Sequence, residues 1–356
     1  MKSSRAFVLA ITLCCVSSAL AQVPVSFVPA GDESSDFQTE VLLADLDNPT
    51  GIALRPTHAT SGPYELYFAE SGAGRVLRVA TNALEQVDEV LVDFPLGTLG
   101  QRPEYRVGPL GLAFISRTKL VVSSKGESPG ADVLASFTLP SDDSVLTAAE
   151  QDHAVGPLKA ELAAQVDDLQ FGELVMADRM CFLTTGGQKG WVLKSGIEAN
   201  RLAYLQPFID LQKKVGYGAP AGIALIPHPR PAFLVVALMG SRDTPQDSRL
   251  TFFVPSSGEL AMNLPTGLHD IISLAYSPTG QLYAADFSWH DAQAGGVYRI
   301  DDARLDGRQT CRAVKIASIV RPFSLAFAPD GSLFVTALGE GDNTKQGTLV
   351  KITGEL

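Results

Sequence analysis

The chain has 356 residues, 46% of them hydrophobic, with 32 glycines, 22 prolines and a formal net charge of −11 at pH 7. Such a composition excludes a disordered or collagen-like chain and describes a globular protein rich in turns. The acidic balance argues against nucleic acid or an anionic lipid surface as a partner.

Met1 to Ala21 stands apart at the N-terminus: Lys2 and Arg5 precede the apolar run Ala6 to Val16, and Ala19-Leu20-Ala21 offers a small-x-small cleavage site. The run is too short to span a bilayer, so it reads as a secretory signal peptide, with a mature chain from Gln22 that forms one domain to Leu356. Leu13, ahead of Cys14 and Cys15, speaks against lipid attachment. The leader holds two of the 28 basic residues and none of the 39 acidic ones, so the mature charge becomes −13. A secreted or periplasmic protein is expected, without membrane insertion and monomeric. Two of four cysteines leave with the leader, and the remaining Cys181 and Cys311 fall in repeats separated by a third. A disulfide needs Cα atoms within about 7 Å, so both are expected as free thiols.

After an orphan strand at Thr39 to Leu46, six short apolar strands follow, each opening on a small residue. They are Gly51-Ile52-Ala53-Leu54, Gly111-Leu112-Ala113-Phe114, Gly172-Glu173-Leu174-Val175, Gly222-Ile223-Ala224-Leu225, Ser273-Leu274-Ala275-Tyr276 and Ser324-Leu325-Ala326-Phe327, spaced by 60, 61, 50, 51 and 51 residues. Each is followed by further apolar alternating runs: Glu65 to Ala69, Gly74 to Val79 and Val87 to Asp93 in the first unit, Lys119 to Ser123 and Val133 to Leu139 in the second. Period-two alternation bounded by Gly, Pro, Asp and Ser marks strands, and a recurring all-strand unit of this length marks a β-propeller blade. The predicted fold is therefore all-β, a six-bladed propeller. Its last unit ends after Thr348 to Ile352, one strand short, and Thr39 to Leu46 is predicted to complete it and close the ring. The stretches Pro95 to Arg106 and Ser141 to Gly156 lengthen the early repeats and are expected as loops, the second with a helical turn or two.

The segments Asp47 to Pro56 with Leu66 to Val76, and Ser324 to Pro329 with Asp330-Gly331-Ser332-Leu333-Phe334-Val335, resemble NHL-type repeats. The wider group of six-bladed propellers that share this pattern includes SMP-30/gluconolactonase-like proteins, strictosidine-synthase-like proteins and soluble quinoprotein sugar dehydrogenases. The resemblance covers roughly residues 37 to 356 and implies a fold whose function lies at the mouth of its central channel. SMP-30-like lactonases would imply a metal held by Glu, Asn and Asp, with the Asn directly before a Gly; here Asn48 is followed by Pro49-Thr50-Gly51. A quinoprotein would imply a basic pocket and a catalytic His, with Arg321, Arg106 and Lys125 as the available charge.

Positions where strands meet the channel mouth supply the ligand-binding candidates: Asn48, Glu70, Asp168, His269, Asp270, Asp286, His290 and Arg321. Four of them, Glu70, Asp168, Asp270 and Asp286, have the oxygen chemistry for a hard cation such as calcium, which takes about 6–8 oxygens. The same acids also read as ordinary loop carboxylates that cap turns. The loop Asp286-Phe287-Ser288-Trp289-His290-Asp291-Ala292-Gln293 reads either as holding a general base or metal ligand, a His beside acids, or as a polar excursion whose Trp packs on its neighbour. No nucleophile elbow, zinc-protease helix or phosphate loop is present in the sequence. Two function classes stay open: a propeller that binds a protein or small ligand at its channel mouth or faces without chemistry, and an axial enzyme, either a metal-dependent lactonase or esterase or a quinone-dependent sugar oxidoreductase.

Overall fold

The computed structural model describes residues 26–100, 104–126, 130–158, 171–187, 189–226, 233–340 and 345–356. The signal-peptide reading and Asp168 lie outside them. Six sheets of four or five strands are arranged as a six-bladed β-propeller. Their inner strands are Pro49–Leu54, Pro109–Ser116, Phe171–Ala177, Pro220–Leu225, Ile271–Tyr276 and Pro322–Phe327. Each contacts the next around the axis, and the sixth contacts the first.

Closure follows the sequence expectation. Gln38–Leu46 pairs antiparallel with Gly347–Thr353, from Gln38 opposite Thr353 to Leu46 opposite Gly347. The chain just before it adds Gly31–Asp32 in parallel to the outer strand of blade 5, Arg308–Ala317. One domain end thereby ties two blades, and the blade-6 edge is paired rather than left open.

Alternation within each strand sends apolar side chains to both faces of each sheet, so a hydrophobic core lies in every gap between neighbouring blades. Between blades 6 and 1, for example, Leu46, Phe334 and Leu349 pack with Ile52, Leu66 and Phe68. Cys181 belongs to the core between blades 2 and 3, and Cys311 to that between blades 4 and 5. Both are free and buried, and burial pushes both thiols up to about 12. A thiol reagent is accordingly expected to find none in the native protein and both after denaturation without reductant. A value near zero under denaturing conditions would contradict the free thiols.

The insertions hold more structure than the loops expected of them. In the first, Gly97–Leu99 pairs antiparallel with Tyr105–Val107. The second insertion adds Leu146–Thr147 in parallel to blade 1, followed by a 3-10 turn at Ala148–Glu150 whose capping box joins Thr147 and Glu150.

Candidate functional site

All six inner strands carry a β-bulge at the same level, where the inner strand spends one residue more than its partner. Pro49 faces Glu70 but Ile52 faces Phe68, and Ile271 faces Asp286 but Ser273 faces Ala285. The remaining four blades slip in the same way. A bulge withdraws a backbone N–H from the ladder and re-aims the side chain beside it. In blades 4, 5 and 6 the freed N–H groups of Ile223, Leu274 and Leu325 turn to the ring axis.

Aligned on these bulges, the residues at that level are Gly51, Gly111, Glu173, Gly222, Ser273 and Ser324. The third repeat is thus displaced by one from the sequence reading, which opened it at Gly172, and the true spacings are 60, 62, 49, 51 and 51. Small residues are required because the inner strands approach closely. A Cβ on Gly51 would lie 2.3 Å from the Leu110 carbonyl oxygen, and one on Gly111 2.5 Å from that of Gly172. Only blade 3 places a long side chain there.

Glu173 reaches across to blades 4, 5 and 6. Its Oε2 accepts from the backbone N–H of Ile223 at 2.9 Å and of Leu274 at 3.4 Å. Its Oε1 accepts from the Ser273 hydroxyl and from the Ser324 hydroxyl at 3.4 Å. Ser273 Oγ in turn accepts from the N–H of Leu325 at 3.2 Å. Bulge donors from three blades are satisfied this way, as buried N–H groups must be. Even so, burial dominates and pushes the carboxyl from 4.5 up to about 8, against the donors that favour its anion. Near neutral pH Glu173 is a carboxylic acid. Sequence reasoning did not single it out. The signal available was an ionisable residue at a level where five repeats carry Gly or Ser, visible only once the third repeat is shifted by one.

Around Glu173 runs a cavity of about 410 Å³, walled by inner strands. Its loop end is lined by Leu110, Met239, Arg242, Ile272, Trp289 and Phe323, its hairpin end by Leu225 and Tyr276. Glu173 and Arg242 are the charged side chains among the described lining residues. The loop end is capped by an aromatic cluster in which Phe287 and Trp289 from blade 5 lie 4.5 Å apart, each 6.1 Å from Tyr105 of the inserted strand pair. Arg242 stacks on Trp289 at 4.3 Å.

The residues anticipated from the sequence fall into separate groups. Glu70, at the end of a second strand, accepts from the Asp47 N–H at 2.9 Å and pairs with Arg75 at 2.6 Å. Asn48, buried, donates from Nδ2 to the Arg106 carbonyl at 2.9 Å. In blade 5, Asp286 accepts from the backbone N–H of His269 at 3.0 Å and of Asp270 at 2.7 Å. Asp270 accepts from the Trp289 N–H at 2.7 Å, which fixes that ring over the cavity. Burial raises both acids, Asp270 to about 7, with Asp286 and Asp247 adding to its rise. His269 is half-buried. His290 is exposed, 3.8 Å from Asp243. Arg321 is buried in the aromatic cluster, donating to the Tyr105 hydroxyl.

Asp270 and Asp286 are therefore brought together, whereas Glu70 sits with Asp47, Arg75 and Arg106 in blade 1. The oxygens of Glu70 and Asp286 are engaged by backbone N–H groups and an arginine, as expected of acids that brace loops. Among the described residues no group of three or more His, Cys, Asp or Glu side chains is arranged to hold a metal ion.

Comparison with protein-family models and with curated proteins gives no match. Solved structures do match in fold. A protein from Thermus thermophilus described as a glucose dehydrogenase aligns with 17% identity and a TM-score of 0.60, over 89% of this chain and 100% of its own. A gluconolactonase from Xanthomonas campestris aligns with 15% identity and a TM-score of 0.57, over 90% and 91%. A further glucose dehydrogenase gives 15% and 0.58, over 89% and 100%. At these identities the likeness is one of fold alone, a six-bladed β-propeller.

Proposed function

We propose that this is an exported propeller that binds a small, mainly apolar molecule in its axial channel. The observation that carries the reading is the cavity of about 410 Å³ that surrounds Glu173 and is walled largely by Leu, Ile, Ala, Gly and Trp289. That volume lies in the range of about 300–1,000 Å³ usual for ligand sites, which combine apolar walls with a few placed polar groups. Export is supported by the leader-like Met1 to Ala21.

The neutral probe N-phenyl-1-naphthylamine tests the reading. Its fluorescence is expected to rise on mixing and to saturate at one probe per chain. Ala221→Phe, which puts a ring into the channel wall, is expected to weaken binding at least tenfold. Unsaturable binding, or affinity indifferent to that substitution, would contradict a channel site.

An axial enzyme is the second reading, favoured by a proton donor standing inside the channel. A carboxylic acid that stays protonated near pH 7 can serve as general acid, and proteins of this fold include a gluconolactonase and glucose dehydrogenases. Hydrolysis of glucono-1,5-lactone that disappears in Glu173→Gln would favour it over binding alone.

A further inference from the structure

Arg321 is 7% exposed, yet no carboxylate pairs with it among the described residues. Its Nη1 donates to the Tyr105 hydroxyl, and its Nε is buried with no partner. The guanidinium otherwise faces the rings of Tyr105 at 5.6 Å and Phe287 at 5.5 Å. Arg55, Arg75, Arg78, Arg106 and Arg299, all more accessible, each hold an acid. A buried cation without a counter-charge is costly, and cation–π contacts offset only part of that cost.

The fold does not demand an arginine there. Arg321 precedes the proline of an inner strand with φ at 51°, and the same place is held by Asn48 at 47° and by Ala219 at 57°. Ala219 makes the same turn with no polar side chain. The charge therefore serves something other than the turn. Arg321 stands one ring layer behind the cavity wall: its guanidinium faces Tyr105 and Phe287, and Trp289 and Phe323 belong both to that wall and to the same aromatic cluster. Arg242, on the face of Trp289, adds a second guanidinium at that end.

We propose that the ligand of the axial channel carries one carboxylate, which takes the place of the Tyr105 hydroxyl on Arg321 while its apolar body lies among Trp289, Phe323 and Ile272. This rests on the channel-binding reading above. A carboxylate matches the fork of guanidinium N–H groups. It also gives up less hydration on entering aromatic surroundings than a phosphate dianion. Glu173 does not call for a cationic ligand, because its oxygens are already engaged by two backbone N–H groups and two serine hydroxyls.

Calorimetric titration of the mature protein with 4-phenylbutyrate, 4-phenylbutanol and 4-phenylbutylamine tests the proposal with one apolar body and three charges. The acid is expected to bind at least tenfold more tightly than the alcohol, and the amine most weakly. That ratio of acid to alcohol is expected to fall to near one in Arg321→Met and in Arg321→Gln, the second variant serving where the first does not fold. Equal affinities for acid and alcohol, preference for the amine, or a ratio untouched by either substitution would overturn the role of Arg321 and leave channel binding standing. Failure of all three compounds to bind would overturn both.

Discussion

Deleting residues 22–46 is expected to destabilise the whole domain by about 5 kcal/mol, the transfer value of Leu42, Leu43 and Leu46 leaving the core between blades 6 and 1. The loss is cooperative because the deleted strand joins the two ends of the ring. Without it, Gly347–Thr353 becomes an open edge, and the parallel strand Gly31–Asp32 leaves the rim of blade 5. Phe27, which packs on Gly267 between blades 4 and 5, goes with them. For a domain of this size the melting temperature should fall by roughly 5–10 °C, and the exposed edge should promote aggregation. Scanning calorimetry of the two mature forms decides the matter. A truncated protein melting within a degree or two of the full one would show that the ring closes without this strand.

Glu173 is expected to make stability depend on pH in a direction opposite to that of most carboxylates. Its folded value is raised from 4.5 to about 8. Between those values the folded state binds a proton that the unfolded state has released, so stability falls as pH rises. The contribution is complete below about 4.5 and gone above about 8, and amounts to as much as roughly 5 kcal/mol across the window. Asp270, raised to about 7, slopes the same way, so the comparison must be with a variant that alters Glu173 alone. Glu173→Gln keeps an acceptor for the N–H groups of Ile223 and Leu274 but cannot titrate. Urea unfolding at pH 5 and pH 8 should show the wild type losing stability relative to this variant. Parallel profiles would mean that Glu173 is ionised throughout. Glu173→Ala, by contrast, strands two N–H groups and should cost about 2–5 kcal/mol at either pH.

Much of the ring was legible because blades are written in local patterns. A small residue, two or three apolar ones, a turn and a second apolar run recur from Gly51 to Phe334, and each pattern needs only its immediate neighbours to be read. The closing strand was legible for the same reason: Thr39 to Leu46 alternates like a strand yet belongs to no repeat. The strand pair Gly97–Leu99 and Tyr105–Val107 was not, because its strands are three residues each and gain their stability from Phe287, Trp289 and Arg321 far along the chain.

The site was less legible than the frame. A bulge adds one residue to each inner strand, and in the third repeat this moves the residue at the axis from Gly172 to Glu173. Only in that register does the acid stand opposite Ser273 and Ser324, 100 and 151 residues away. Acids at the ends of second strands pose the opposite problem. Glu70 and Asp286 have the composition of ion ligands, yet each meets backbone N–H groups that lead into the inner strand of its own blade. A sequence cannot distinguish those roles, since both call for a carboxylate at a turn.

Axial binding is tested most directly by a crystal structure of the mature protein saturated with N-phenyl-1-naphthylamine. Density for the probe inside the channel, between Trp289 and Glu173, is the expected result. An empty channel at saturation, with the probe in a groove between blades or on an outer edge, would contradict it.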